Sequence, residues 1–412
     1  MKHIVIIGCG FVGINAAKVL GNKDDVAVTL IDRNNYHLFQ PLLYQVATAG
    51  LSPAEIAVPI RSILSKYRNI KVRQAEVKGV NFDTRTVEVT NGKLEYDYLI
   101  LGCGARTTYF GNTRWQRYAL GLKSVEEALI IRRKLLKAFE KAETSNQADE
   151  KSKLLTFVIV GGGSTGVEIA GAIGELSRFT LARDFRNIDP KQAKIILIEA
   201  GARILPAFSR KLSAIATRDL ESLGVEVRTR QRITDIDAGG VYIGKQRIEA
   251  ETVIWSAGIQ APDIMGGLTS HSGGEEPITI NIDLSLKDHP EVFVAGDQLG
   301  FMNQTNHPLP AVAPVALQQG RYIAGAILRD LKGERRRPFH YLDKGQLATI
   351  GRKKAVLQIG RLEMSGQFAW LAWLFVHIYY LIGFKNKLFV FLNWILAYFS
   401  FRKGARLIIN RH

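Results

Sequence analysis

Two stretches of the chain repeat one order of hydrophobic and polar positions. Each begins with an apolar run rich in β-branched residues, KHIVII and LLTFVIV, and each run ends at a glycine-rich turn. A helical pattern follows the turn, and a second apolar run, VAVTLID or AKIILIEA, ends in or beside a carboxylate. Strand, turn, helix and strand in this order predict an α/β fold.

The spacing of the glycines predicts a dinucleotide in each stretch. In GCGFVG, Gly8 permits the tight turn, Gly10 lets the backbone approach a pyrophosphate, and Gly13 lets the helix pack close to the strand. Asp32 follows Gly13 by 19 residues, the spacing at which a carboxylate accepts hydrogen bonds from an adenosine ribose. We therefore predict a Rossmann-like unit that binds a pyrophosphate at its helix N-terminus.

The second stretch repeats these landmarks after a longer insertion. Its corresponding residues are Gly161, Gly163, Gly166 and Glu199. Both units continue into alternating polar and apolar residues with turn signals, which predict a β-meander. Gly104 closes the first meander 91 residues after Gly13, and Gly258 closes the second 92 residues after Gly166. This equal spacing indicates an internal duplication and two bound dinucleotides.

Two further segments separate or follow the two copies. The run HPEVFVAGDQLG predicts a strand that ends at Asp297 and completes the first unit, although a helix N-cap is the alternative for Asp297. The polar stretch 140–153 between the copies predicts a solvated connection. The predicted domains are 1–120 with 281–340, 121–280, and 341–412.

The last domain is aromatic and almost uncharged over two runs. Residues 368–384 form a run of 17 with His377 inside, and residues 388–401 form a run of 14 with Asn393 inside, whereas a spanning helix needs roughly 20 apolar residues. Lys385 and Lys387 divide the runs, and three of the five tryptophans lie in them. These features favour helices that lie on one membrane face. A buried helical core, a dimer contact and a spanning hairpin are the alternatives.

Charge and cysteine content narrow the functions. The formal net charge of +17 favours a phosphate-rich ligand or an anionic membrane surface, and no nucleic-acid-binding motif is visible. Two cysteines, Cys9 and Cys103, without a CxxC or CxxxxC, argue for a reducing compartment and against a redox dithiol or cysteine-based zinc site. The first strand begins without a cleavable signal peptide, so we expect a protein that is not secreted.

Four separated segments resemble, in order, the type II NADH:quinone oxidoreductases. They are RNNYHLFQPLLYQVATAGL, GGGSTGVEIAG, LATIGRKKAV and AWLAWLFVHIYYLIGFKNK. The resemblance implies two glutathione-reductase-like Rossmann domains, with non-covalent FAD in the first and NADH in the second, and a membrane-anchoring C-terminal segment. It also implies hydride transfer from NADH to FAD, then two electrons to a membrane quinone, without proton pumping. A peripheral position on the cytoplasmic face of a membrane follows as an expectation.

The resemblance also implies the site residues. Those expected at FAD are Gly8, Gly10, Phe11, Gly13, Asp32, Arg33, Gly104, Ala105, Asp297 and Ala313. Those expected at NADH are Gly161, Gly163, Thr165, Gly166, Glu168, Glu199, Ala257 and Gly258. Glu199 should favour NADH over NADPH because a 2′-phosphate would face a carboxylate, while Arg203 is near enough in sequence to blunt this preference.

Two catalytic residues are predicted. The resemblance implies that Glu168 lies beside the flavin and delivers protons to quinone, while a helix-dipole role in the first helical turn is the alternative. APVALQQG at 313–320 corresponds to the Ala-Gln-x-Ala-x-Gln-x-Gly run that borders the quinone pocket in this family, with Pro314 at the first glutamine. We predict a helix from near Ala313, with Gln318 beside the pocket.

Three competing functions are weighed against this interpretation. Sulfide:quinone oxidoreductases need thiols that relay sulfur, and Cys9 and Cys103 lie in glycine turns. Disulfide reductases need the missing CxxxxC. A redox-inactive flavoprotein that senses NADH and binds a protein partner through its tail stays open. Tyr44 is expected in the core or near the flavin, and His377 in the packing of the tail.

Overall fold

The structure is a computed structural model that describes residues 1–262, 280–298, 309–400 and 405–408, with only the backbone at 397–400. The chain forms two compact units. Unit 1 contains Met1–Leu38, Ala57–Arg106 and Ile259–Asp343, and unit 2 contains Phe39–Ile56, Thr107–Gly258 and Lys344–His412. The division into three domains stays a prediction.

The strands are numbered in chain order. They are β1 (Lys2–Ile7), β2 (Val26–Asp32), β3 (Tyr36–Leu38), β4 (Ala57–Pro59), β5 (Ile70–Gln74), β6 (Val77–Asn81), β7 (Thr86–Val89), β8 (Gly92–Glu95), β9 (Tyr98–Leu101), β10 (Arg106–Thr107), β11 (Ala119–Leu120), β12 (Thr156–Val160), β13 (Lys194–Ile198), β14 (Val225–Arg228), β15 (Asp235–Asp237), β16 (Gly240–Ile243), β17 (Gln246–Glu249), β18 (Thr252–Trp255), β19 (Ile259–Gln260), β20 (Val292–Val294), β21 (Gln346–Gly351), β22 (Lys354–Ile359) and β23 (Leu362–Ser365).

The helices are numbered in the same way. They are α1 (Phe11–Leu20), α2 (Leu43–Ala47), α3 (Pro53–Ile56), α4 (Ile60–Leu64), α5 (Val125–Thr144), α6 (Ala148–Leu154), α7 (Ser164–Glu175), α8 (Arg210–Ser222), α9 (Ala313–Leu331), α10 (Gln367–Tyr380) and α11 (Phe384–Ser400). Short 3₁₀ turns occupy Gln40–Leu42, Thr113–Arg117 and Pro190–Gln192, and a π-helical turn occupies Leu176–Thr180.

Unit 1 is built on a five-stranded parallel sheet in the order β20-β9-β1-β2-β5. Strand β20 forms its edge, so sequence from beyond the second copy completes the first unit, as predicted. Helices α1 and α9 pack closely, since a Cβ on Gly320 would lie 2.3 Å from the Val12 carbonyl oxygen. The predicted meander is present as β6-β7-β8.

Unit 2 repeats this architecture. Its parallel sheet has the order β11-β18-β12-β13-β14, and its meander is β15-β16-β17. In both sheets the strand after the meander lies beside the first strand of the unit, and the first strand lies beside the second. Matching order in two sheets confirms the predicted α/β fold with two Rossmann-like units.

A third sheet, β21-β22-β23, packs against α7 of unit 2. The approach is close, because a Cβ on Gly171 would lie 1.8 Å from the Ile350 carbonyl oxygen. Glycine at this position therefore lets the sheet pack directly on the helix that follows the second glycine turn. This contact brings the LATIG segment beside α7.

The polar stretch 140–153, predicted as a solvated connection, is mostly helical. Helix α5 continues to Thr144, and α6 begins at Ala148. The stretch is rich in glutamate, lysine and alanine, which are strong helix formers. Helix α5 also begins with a capping box formed by Ser124 and Glu127. The polarity of the stretch therefore indicated contact with solvent but not a loop.

The C-terminal segment forms α10 and α11, but the break between them is not at Lys385 and Lys387. Both lysines lie in the first turn of α11. The break falls at 381–383, where Gly383 has a φ of +88°. Helix α10 ends where Leu381 takes an extended conformation, and Gly383 has a positive φ that favours glycine directly before α11, so the break does not coincide with the charged residues.

Both tail helices expose apolar side chains. Phe375 is 72% exposed and Phe384 is 81% exposed, whereas Trp373 and Val390 are buried. The other exposed apolar side chains of the tail are Phe368, Leu371, Val376, Tyr379, Leu388, Phe389, Phe391, Leu392, Ile395 and Leu396. Within the described residues, the length and hydropathy needed to cross a membrane are not met by any helix.

Candidate active site

Each glycine turn is closed by the carboxylate of the neighbouring strand. In unit 1, Asp32 accepts hydrogen bonds from the N–H groups of Cys9 and Asn34, both at 2.7 Å. In unit 2, Glu199 accepts from the N–H group of Gly162 and from the N–H group two residues after itself, both at 2.6 Å. The donors occupy equivalent positions, so the duplication extends to the hydrogen bonds of the turn.

The outer glycines of each turn keep helix and strand in contact. A Cβ on Gly13 would lie 1.9 Å from the Gly8 carbonyl oxygen, and a Cβ on Gly166 would lie 1.9 Å from the Gly161 carbonyl oxygen. Gly8 and Gly161 have φ values of +94° and +105°. Larger residues would therefore force the helix away from the turn in either unit.

Gly10 and Gly163 have a different environment. No described protein atom lies within 4 Å of a Cβ built on either residue. These glycines precede α1 and α7, and neither helix has a side chain that caps its N-terminus. A pyrophosphate would satisfy the N–H groups that such helix ends leave without partners. The two turns therefore fit the dinucleotides predicted from the sequence.

A cavity of about 930 Å³ borders the turn of unit 1. Gly8, Asp32, Arg33 and Ala105 line it, together with further charged side chains. Burial raises the pKa of Asp32, while the hydrogen bonds from Cys9 and Asn34 oppose this shift. The volume of this cavity is within the usual range for cofactor sites. The chemistry of this lining fits the adenosine and pyrophosphate of FAD.

The other residues predicted at FAD also lie in unit 1. Phe11 begins α1 and packs edge-to-face on His37 with ring centroids 5.3 Å apart. Gly104 has a φ of +69° in the turn after β9. Asp297 lies in the turn after β20, and Ala313 is the first residue of α9.

The residues predicted at NADH all lie in unit 2. Thr165 is exposed in the first turn of α7. A Cβ on Gly161 would lie 2.7 Å from the Ala257 backbone nitrogen, and a Cβ on Gly258 would lie 2.8 Å from the Phe110 ring. These approaches give the second turn the same tight packing as the first.

Arg203 is held by its own loop. Its guanidinium donates hydrogen bonds to the carbonyl oxygens of Leu205, Pro206 and Phe208. Those bonds hold the side chain within its own loop, and Arg203 lies four residues after Glu199. Whether Arg203 blunts a preference for NADH stays a prediction.

Glu168 lines a cavity of about 130 Å³ inside unit 2. The prediction that it lies in the first turn of its helix is wrong, because α7 begins at Ser164 and Glu168 is its fifth residue. The helix dipole is strongest in the first turn, so the dipole role loses its basis. The walls of the cavity come from α7 itself, α2, β21 and the tail helices. Besides Glu168, the lining residues include Tyr44, Gln45, Ala172, Glu175, Thr349, Trp370, Trp373 and Trp394.

The carboxyl group of Glu168 has a raised pKa. Burial raises the pKa of Glu168 to about 8, while the Thr349 N–H group and the Trp373 indole lower it. The Trp373 Nε1–H group makes no well-formed hydrogen bond within the part of the chain that the structure describes, and its effect on the pKa of Glu168 is smaller than that of Thr349. The surface that Glu168 keeps accessible borders the cavity. Glu168 can thus hold a proton at neutral pH and present it to a ligand.

His377 has a packing role beneath this cavity. Its ring stacks on Trp373 with centroids 4.2 Å apart, and its Nδ1–H group donates to the Trp373 carbonyl oxygen at 2.8 Å. Burial lowers the pKa of His377 to about 4, so the imidazole is neutral at physiological pH. The ring supports Trp373, in line with the packing predicted for it.

Gln318 lies on α9 of unit 1, which begins at Ala313 with Pro314 in its first turn, as predicted. Its amide donates to the Leu342 carbonyl oxygen at 2.9 Å and accepts from the Leu342 N–H group at 3.0 Å. A quinone contact of Gln318 stays a prediction. Sequence reasoning overlooked the next residue, Gln319, which is buried and accepts from the Gly296 N–H group at 2.8 Å.

The two cysteines are poor nucleophiles. Burial raises the pKa of both thiols, that of Cys103 to about 12. A thiol that stays protonated reacts slowly, because the thiolate is the nucleophile. This environment argues against the sulfur relay of a sulfide:quinone oxidoreductase.

The chain matches two protein-family models and several known proteins. Residues 2–320 match the pyridine nucleotide-disulphide oxidoreductase family, and residues 344–403 match the NDH2 C-terminal domain. The chain is 41% identical to the type II NADH:quinone oxidoreductase Ndh of Mycobacterium tuberculosis and 40% identical to NdhA of the same organism. Each alignment covers 99% of this chain and 90% of the relative.

A solved structure has the same fold. NDH2 from Plasmodium falciparum in complex with NADH superimposes with a TM-score of 0.91 at 22% sequence identity. The match covers 99% of this chain and 100% of that chain. The similarity therefore extends through both Rossmann-like units and the tail.

Proposed function

This chain belongs to the type II NADH:quinone oxidoreductase family, and we propose that it reduces its quinone in the cavity lined by Glu168. Enzymes of this family transfer electrons from NADH to a quinone through a flavin, without pumping protons. The reaction converts NADH, quinone and one proton to NAD⁺ and quinol. The residues around Glu168 must therefore supply a proton as well as a binding surface.

Unit 1 would hold FAD without a covalent bond. Gly8 and Gly13 hold the turn tight, Gly10 leaves space for the pyrophosphate, and Asp32 would accept from the ribose hydroxyls. Arg33 and Ala105 line the cavity beside them. FAD, when bound, accepts a hydride from NADH and passes the electrons to the quinone.

Unit 2 would hold NADH at its own glycine turn. Gly163 leaves space for the pyrophosphate at the N-terminus of α7. Glu199 already accepts two backbone N–H groups at 2.6 Å, and a carboxylate has further lone pairs for ribose hydroxyls. A 2′-phosphate would face this negative charge, which supports a preference for NADH.

Glu168 would hold the proton that the quinone takes up. Its carboxyl group is protonated at neutral pH because burial outweighs the hydrogen bonds that stabilise its charge. Trp370, Trp373 and Trp394 give the cavity flat apolar walls of the kind that suit a quinone ring. This carboxylic acid among tryptophans is the observation that carries the proposed function.

The tail would rest on the surface of a membrane. Members of the family are peripheral membrane enzymes. The exposed side chains of α10 and α11 supply an apolar face, and Lys385 and Lys387 supply positive charge that anionic lipid would attract. A lipid-soluble quinone could then reach the cavity without leaving the bilayer. The cytoplasmic face and a homodimer stay predictions.

Purified full-length protein provides the test. It should carry FAD that heat denaturation releases, and it should oxidise NADH when a short-chain quinone is supplied. A protein that binds no flavin, or that oxidises NADH only with oxygen and not with quinone, would contradict the proposed function.

A further inference from the structure

Tyr44 and its hydrogen-bond partner Gln45 line the same cavity as Glu168. The Tyr44 side chain is buried at 6% exposure. Gln45 Nε2 donates a hydrogen bond to Tyr44 Oη at 3.0 Å. Within the described residues no acceptor is found for the phenolic proton. Tyr44 is therefore a hydrogen-bond donor without a protein acceptor, placed at the wall of a ligand cavity.

Gln45 is fixed in one orientation by the tail. Trp394 Nε1 donates to Gln45 Oε1 at 2.9 Å. An indole N–H group can only donate, so the oxygen of the Gln45 amide must face Trp394. Its NH₂ group must then face Tyr44. In this arrangement the Tyr44 oxygen accepts, and its own proton is directed away from Gln45.

Helix α11 is itself fastened to the 43–56 segment of unit 2. Asn386 Nδ2 donates to the carbonyl oxygens of Ala54 and Glu55 at 2.9 and 3.0 Å. Asn393 Nδ2 donates to the Glu55 carboxylate. Both asparagines lie on the N-terminal side of Trp394 in the helix, and Asn393 is its direct neighbour, so the indole has a defined position relative to Gln45.

We propose that Tyr44 donates a hydrogen bond to a carbonyl oxygen of the quinone, and that Gln45 and Trp394 are positioning residues that orient its hydroxyl group. The proposal rests on the proposed function and deepens it. A quinone has two carbonyl oxygens, and negative charge develops on them as electrons arrive. Glu168 can donate its proton to one oxygen, and a fixed hydrogen-bond donor in an apolar cavity stabilises negative charge on the other. Tyr44 keeps its proton throughout, so no further proton acceptor is required.

The test compares Tyr44→Phe with Tyr242→Phe in full-length protein. Tyr242 donates to Asp237 at 2.9 Å in the meander of unit 2, so its variant loses a hydroxyl group outside the cavity. Tyr44→Phe should lower kcat/KM for a short-chain quinone by about threefold to tenfold, the effect of one lost hydrogen bond. The rate with ferricyanide, which has no carbonyl oxygen, should stay the same. Tyr242→Phe should alter neither rate.

Trp394→Phe tests the positioning residues. It removes the indole N–H group and keeps an aromatic ring, so it should lower kcat/KM for quinone in the same direction as Tyr44→Phe. The double variant should lose no more than Tyr44→Phe alone, because both changes act on one hydroxyl group. An unchanged quinone rate in Tyr44→Phe, or an equal loss with ferricyanide, would overturn the inference. A wild-type protein that reduces ferricyanide but no quinone would instead overturn the proposed function.

Discussion

Glu168 keeps its proton at neutral pH because its surroundings stabilise the uncharged acid more than the carboxylate. Burial dominates, and the Thr349 N–H group offsets only part of it, leaving a pKa of about 8. An acid with this pKa can release a proton near physiological pH and then be reloaded from water. The same carboxyl group on an exposed helix would be ionised and unable to donate.

The pH dependence of quinone reduction should report this residue. Since the pKa of Glu168 is raised, the donating form is present below about pH 8 and is lost as the pH rises through that value. Wild-type turnover should therefore fall above pH 8. Glu168→Gln should turn over on the order of 10²–10⁴-fold more slowly, without that fall. Glu249→Gln, which changes an exposed carboxylate, is the control. A Glu168→Gln profile that still falls near pH 8 would assign the titration to another group.

The selectivity between NADH and NADPH tests whether the charge of Glu199 disfavours a 2′-phosphate. Glu199→Gln keeps an oxygen for the Gly162 N–H group but removes the negative charge. The preference for NADH over NADPH should narrow by about tenfold, equivalent to roughly 1.4 kcal/mol of relieved repulsion. The ratio of kcat/KM values for the two nucleotides measures it. Glu226→Gln, at an exposed ion pair with Arg228, should keep the wild-type ratio. If the ratio of kcat/KM for NADH to that for NADPH is equal in all three proteins, Glu199 does not determine the selectivity at the ribose.

The sequence could predict these residues only in part. Asp32 and Glu199 follow from local spacing, because strand, turn and helix place them within one supersecondary unit. Glu168 was identified through the family resemblance, since nothing nearby in the chain indicates its burial. Thr349 and Trp373, which lower its pKa against the larger effect of burial, lie more than 180 residues further along the chain. Such contacts depend on tertiary packing that no local pattern specifies.

At the scale of elements, each glycine turn depends on a close backbone contact between its first and last glycines, and the two contacts are equally close. The 1.9 Å distance that a Cβ on Gly166 would have to the Gly161 carbonyl oxygen cannot be relieved by a side-chain rotation. The helix or the strand would have to move. We therefore expect the turn to tolerate a larger residue at Gly163 far better than at Gly166.

A pair of alanine variants tests this difference. Gly166→Ala should lower thermal stability and abolish NADH binding, because backbone atoms must shift. Gly163→Ala should fold with a wild-type melting temperature and lose only affinity for NADH, because its Cβ meets no described protein atom. Thermal melts with and without NADH separate the two effects. A Gly166→Ala protein as stable as wild type would contradict the packing described for α7.

The sequence predicted helices and strands correctly where a periodic hydrophobic pattern was bounded by glycine. The parallel strands and both meanders followed from such patterns, whereas the start of α9 at Ala313 followed from the family resemblance and from Pro314, which suits a first helical turn. The stretch 140–153 is mostly exposed, as its polarity predicts, but this polarity did not indicate its helices, because exposed helices and loops share a polar composition. The lysines predicted a break at 385–387, whereas the break lies at 381–383, between an extended Leu381 and Gly383 with its positive φ.

At the scale of the whole molecule, the exposed apolar face of the tail should bind membranes. Burial of a phenylalanine contributes roughly 1.5–3 kcal/mol, so two charged replacements should weaken binding at least about tenfold. Phe375→Glu with Phe384→Glu should release the protein from anionic vesicles in a flotation assay. Ile282→Glu, at a position of 68% exposure in unit 1, should stay bound. A different result would be a tail variant that floats as well as wild type but is monomeric while wild type is dimeric. It would show that this face packs against a second copy of the chain.

Transfer of electrons from NADH to quinone within one chain is the central claim, and anaerobic stopped-flow absorbance tests it most directly. Mixing the purified protein with one equivalent of NADH should bleach its flavin colour, and NADPH should do so far more slowly. A second mixing with short-chain quinone should restore the colour and yield one quinol for each NADH. Colour that bleaches with NADH but does not return with quinone would contradict this account and indicate a flavoprotein that senses NADH without passing electrons on.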